Sequence, residues 1–64
     1  MARDPVAVDA KRILLRYGTP IRTLDRIPNE KRIEFARELA RTELHEREKR
    51  VRELLIEAGY IKTG

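Results

Sequence analysis

From Glu30 to Ala58 the chain contains no Gly, Pro, Ser or Asn. Glu, Arg, Leu and Ala dominate this stretch, and all are strong helix formers. Pro28 suits a helix start, because its missing N–H costs nothing in the first turn. Gly59 suits the stop, as the residue that takes the left-handed conformation after the last turn. Tyr60 is then placed to pack back on Leu55 in a Schellman cap. Between these ends an apolar stripe recurs at helical spacing: Ile33, Ala36 and Ala40, then Leu44, Val51, Leu54, Leu55 and Ala58. One step of the stripe lands on Arg47. Phe35 and Leu39 widen the apolar face in the first half only. Glu43–Arg47, Glu46–Arg50 and Glu48–Arg52 have the spacing and order of favourable i,i+4 pairs. The pattern predicts one long helix over 28–58.

Length makes that helix awkward. It would reach about 45 Å, whereas a compact domain of this chain length is roughly 28 Å across. The second half would overhang its own domain. One solution is a helical homodimer in which a second copy covers Leu44, Val51, Leu54 and Leu55. The alternative breaks the segment near 41–45 and yields a helix-turn-helix three-helix domain. In that arrangement Val51-Arg52-Glu53-Leu54-Leu55-Ile56-Glu57-Ala58-Gly59-Tyr60-Ile61 resembles the end of a winged-helix recognition helix running into its wing. The resemblance implies that His45, Arg47, Lys49 and Arg50 face a DNA major groove. The continuous helix is the first expectation, since nothing in the stretch is a turn residue.

The N-terminal part reads as two helices packed on the long one. Asp4-Pro5 is an N-cap followed by proline, and a helix over 5–17 closes at Gly18. Its inward face is Val6, Ala10, Ile13, Leu14 and Tyr17. Val8 and Leu15 fall on the opposite side and fit a second contact surface. Thr19-Pro20 repeats the capping pattern and opens a short helix over 20–26. There Ile21, Leu24 and Ile27 point inward, and Asp25 is within local reach of Arg22. The fold class is therefore all-α, a single domain spanning 1–64.

A domain this small is marginal, and small scaffolds often need a staple. There is no cysteine, so neither a disulfide nor a thiolate metal site supplies one. Oligomerisation is the expected substitute. No apolar run is long enough for a membrane span, and Val6-Ala7-Val8 is too short for a secretory signal. The expected setting is cytoplasmic. Ser, Gln and Trp are also absent, and Arg far exceeds Lys. That composition suits a thermophile and equally a GC-rich genome.

Chemistry narrows the function by exclusion. His45 is the sole histidine, the glycines stand alone, and no Ser or Cys nucleophile exists. Each Glu has Arg or Lys within a turn, so solvated ion pairs are the default. We expect no enzyme, no metal and no cofactor. The net charge is +4 and is uneven: residues 1–26 carry six cations against three aspartates. Arg12 and Arg16, and then Arg22 and Arg26, lie one helical turn apart and outward. These four are the expected nucleic-acid contacts, meeting duplex DNA through its phosphates with little sequence readout. The alternative is a protein-interaction module, an adaptor or inhibitor that docks a helix face on a larger partner.

Overall fold

The computed structural model describes residues 5–62, without the side chains of Pro5 and Ala7. The capping role expected of Asp4 lies outside the described residues. Among them the chain is all-helical, with no strand. Helix α1 spans Pro5–Arg16, α2 Ile21–Arg26, α3 Asn29–Arg41 and α4 Arg47–Glu57, and a 3₁₀ turn, Leu44–Glu46, precedes α4. The single helix expected over 28–58 is thus two helices. The domain measures 43 × 25 × 16 Å, with a radius of gyration of 11.2 Å.

Burial explains the break. Val51 and Leu55, which a continuous helix would carry beyond its own domain, fold back instead. They join Leu14, Leu24, Ile27, Phe35 and Leu39 in one core. Each such side chain removed from water contributes about 1.5–3 kcal/mol, and the helical hydrogen bonds lost at the turn are partly replaced by those of Thr42 and Arg47. Val51 and Leu55 are therefore core residues of the single chain, not the dimer surface expected of them. Leu54 is half-buried and packs against the same core, and Leu44 alone stays out, at 69% exposed.

The turn needs no glycine. Thr42 (φ −90°, ψ 143°) and Glu43 (φ −60°, ψ 143°) are both extended. No described residue other than glycine has positive φ. The Thr42 hydroxyl donates to the Glu38 carbonyl at 2.8 Å, and its N–H donates to Leu39 O at 3.0 Å. Among the described residues the Glu43 N–H makes no backbone hydrogen bond. Glu43→Pro should therefore be tolerated. The φ there matches proline, and Thr42 already holds the extended geometry required before it. We expect a melting temperature by circular dichroism that is unchanged or higher, up to about 1 kcal/mol of added stability. A continuous helix would instead lose about 3 kcal/mol or more.

The two positive-φ glycines close helices as their positions implied. Gly18 (φ 101°) ends α1, with Thr19 N–H donating to Leu14 O and Gly18 N–H to Leu15 O. Gly59 (φ 82°) ends α4, with Tyr60 N–H on Leu55 O and Gly59 N–H on Ile56 O. Both are Schellman caps. The second swings Tyr60 onto Phe35, edge to face, with ring centroids 6.3 Å apart. This contact ties the chain end back to α3.

The first helix starts at Pro5 as expected, and α2 and α3 each start one residue later than expected. Pro20 and Pro28 occupy the N-cap positions themselves, and no side chain caps either helix. Thr19 does not cap α2. It is buried, and its hydroxyl has no hydrogen-bond partner among the described residues. Leu24 and Ile27 point inward as expected, while Ile21 is 60% exposed. Thr23, and not Ile21, is the third buried side chain of this segment. Arg32 holds the end of α2 from outside: its Nε and Nη2 donate to Leu24 O at 3.1 and 2.8 Å.

Candidate anion-binding groove

Arg12 and Arg16 lie on the side of α1 that meets α3. Both are exposed, and among the described residues neither is held in an ion pair. They border a groove of about 350 Å³ between α1, α3 and the start of α4. Its polar rim is Asp9, Arg12, Arg16, Tyr17 and Arg47. Its apolar side is Ile13, Ala36, Leu39 and Ala40, of which Ala36 and Leu39 are fully buried, so that Ile13 and Ala40 form the accessible floor. Ala40, expected inward on the helical stripe, is exposed and forms part of this floor. Small side chains one turn apart on α3 are what leave the space open.

Arg47 is the fixed member. Its Nε donates to Thr42 O at 2.9 Å, and its Nη1 donates to the Tyr17 hydroxyl at 2.8 Å. The guanidinium also lies 5.5 Å from the centre of the Tyr17 ring, in cation–π range. Three contacts pin one half-buried cation between α1 and α4. Nη2 keeps its donors, with no described hydrogen bond. Arginine's planar fork loses less freedom than lysine would when held this way.

The four arginines expected as one basic surface are split by the structure. Arg12 and Arg16 share the groove. Arg22 and Arg26 are exposed on α2 and do not line it. Lys11 reaches Asp25 at 3.6 Å across α1 and α2, so Asp25 pairs there and not with Arg22.

The alternative set on α4 is likewise divided. Arg47 belongs to the groove, turned toward Tyr17 and away from any surface shared with Lys49. Arg50 donates to Glu38 and Glu53, both at 3.3 Å. Desolvation works against its charge, and the hydrogen bonds to Glu53 and Glu38 outweigh it, so its pKa is raised above the ordinary value. His45 is exposed, its Nε2 3.6 Å from Glu43. Lys49 is exposed without a described partner. These four do not form one cationic face, and the exposed side of α4 mixes Glu48, Glu53 and Glu57 with Lys49 and Arg52.

None of the three expected i,i+4 pairs forms among the described residues. The turn takes Glu43 out of the helix and draws Arg47 to Tyr17, while Arg50 chooses Glu38 across the turn. Sequence reasoning missed Arg47 and Arg32 as tethers, and Asp9 as the acid at the groove. The one available signal was Arg47 falling on the apolar stripe. Among the described residues no group of three or more His, Asp or Glu could hold a metal ion, and no helix is long and apolar enough to cross a membrane. No family model, curated protein or solved structure matches the chain.

Proposed function

We propose that this is a small helical nucleic-acid-binding protein that contacts phosphates through α1 and the groove beside it. The observation that carries the reading is the convergence of exposed Arg12 and Arg16 with the pinned Arg47 on one groove, opposed by a single acid, Asp9. Arginine forks match phosphate oxygens bidentately. Exposed arginines along its rim meet backbone phosphates from outside the groove and give a salt-dependent affinity. Arg22 and Arg26 extend the charge along α2 and act as a second, weaker contact.

Gel mobility of a duplex at low and moderate salt tests this. Arg12→Ala/Arg16→Ala should weaken binding for all sequences. It should also flatten the salt dependence by about 0.9 log units per log unit of salt for each phosphate left unneutralised. Arg22→Ala/Arg26→Ala should do the same to a smaller extent. Absence of a low-salt shift, or wild-type affinity in the first double variant, overturns the reading.

A second reading rests on a different face. Val8 (60% exposed), Leu15 (46%) and Ile21 (60%) are large apolar side chains left in water on α1 and α2. Lys11 meets Asp25 across these helices, and Leu15 and Ile21 each lie one turn from that pair on their own helix. Clustered exposed apolar groups mark contact surfaces more often than scattered ones do. On this reading the protein docks the α1–α2 face on a partner, either a second copy or a larger protein. It takes over if the arginine variants leave no trace on nucleic-acid binding.

A further inference from the structure

The groove has two chemically different ends. Asp9, Arg12, Ile13, Arg16 and Tyr17 follow one face of α1 over about 12 Å. Asp9 stands at one end, and Arg16, Tyr17 and Arg47 stand at the other. The Arg47–Tyr17 hydrogen bond joins α4 to α1 and bounds the groove there. Between the ends the accessible apolar surface is that of Ile13 and Ala40. A volume near 350 Å³ is at the lower end of the range for small-molecule sites. It suits one ligand unit and not a length of duplex.

We propose that this groove binds a single nucleotide bearing a free phosphomonoester. The phosphate sits against Arg16 and the Nη2 edge of Arg47, the base lies on Ile13 and Ala40, and its amino edge meets Asp9. A phosphomonoester carries a charge of roughly −1.5 to −2 and three acceptor oxygens, which several guanidinium forks can share. A backbone diester brings less charge and must continue past both of its oxygens, into the Arg47–Tyr17 bridge. Ionised Asp9 only accepts hydrogen bonds. It therefore favours bases with an exocyclic amino donor, such as adenine and cytosine, over uracil and thymine, whose one ring N–H donor is flanked by two carbonyl oxygens that repel a carboxylate. Arg12, at the middle of the rim, is free to close over the ligand. A strand's phosphorylated end and a free mononucleotide both supply this chemistry. Assignment to the strand end rests on the nucleic-acid reading above.

Heteronuclear NMR on the full ¹⁵N-labelled chain tests the site, with adenosine 5′-monophosphate, uridine 5′-monophosphate, adenosine and inorganic phosphate as probes. Adenosine monophosphate should shift the Arg47 Nε–H and the Ile13 and Ala40 amides, and bind at least tenfold more tightly than adenosine or phosphate. Arg16→Ala should weaken it at least tenfold, and Asp9→Ala should abolish its preference over uridine monophosphate. Arg16 and Asp9 are exposed, so both variants should fold. A 5′-phosphorylated single-stranded oligonucleotide is compared with its unphosphorylated twin. Tighter binding of the phosphorylated strand, with the same groove shifts, supports the strand end. Groove shifts from the mononucleotide with none from either strand support the site but count against the nucleic-acid reading. Duplex binding that persists while no probe moves the groove resonances overturns this inference and leaves that reading standing. Equal responses to phosphate and adenosine monophosphate also overturn it.

Discussion

Leu55→Ala is expected to lower the unfolding free energy by about 2–5 kcal/mol, the usual range for a leucine truncated in a packed core. Leu55 is 2% exposed and sits with Leu14, Leu24, Leu39 and Val51. For a domain of this length, total stability is of order 3–10 kcal/mol. The variant should therefore be largely unfolded, or unfold at much lower urea, as followed by circular dichroism. The wild-type midpoint should not depend on protein concentration, because the chain covers Leu55 by itself. An interface leucine behaves differently: the midpoint rises with concentration as mass action favours the folded oligomer. Leu44→Ala is the internal control. At 69% exposed, Leu44 contributes little to the core, and its truncation should stay within about 0.5 kcal/mol. A larger loss at Leu44 than at Leu55 would contradict the placement of the core, whereas a concentration-dependent midpoint with Leu55 still dominant would mean that a second copy covers the Val8, Leu15 and Ile21 face.

Periodicity made most of the helical content legible. The inward faces of α1 and α3 follow the three- and four-residue spacing of Ala10, Leu14, Phe35, Ala36 and Leu39, and these are buried. The two glycine caps could be read because a positive φ is a demand that few residues other than glycine meet. The turn between α3 and α4 could not be read for the opposite reason. It uses only negative φ, so no residue type was obliged to announce it. Its hydrogen bonds come from a threonine hydroxyl within the turn and from an arginine on the helix that follows. The end of α2 is held in the same way, by Arg32 from α3. Long arginines reaching back to a helix-end carbonyl look, in sequence, like any solvated charge. The same ambiguity hid the groove. Arg12 and Arg16 could be picked out by spacing, but their convergence with Arg47 depends on a turn that spacing did not show.

Arg47→Met is the corresponding test at the turn, and we expect a loss of about 2 kcal/mol. The substitution keeps an unbranched apolar stem and a good helix former. It removes two charge-assisted hydrogen bonds, to Thr42 O and to the Tyr17 hydroxyl, and the cation–π contact with the Tyr17 ring. Hydrogen bonds to charged groups contribute about 1.5–3 kcal/mol each, but Arg47 is only half-buried, and water can replace part of what is removed. The total is therefore set near the value of one such bond. Arg47→Lys should recover little, since one ammonium cannot span both oxygens in the guanidinium's planar geometry. Tyr17→Phe removes one of the same bonds and should cost less. In a double-mutant cycle the two losses should fall short of additive in the combined variant, because the Tyr17–Arg47 bond can be broken only once. Urea denaturation of the four proteins measures this coupling. Additive losses would mean that Arg47 and Tyr17 stabilise the chain independently, and that α4 is held to α1 by the apolar contacts of Val51 and Leu55 alone.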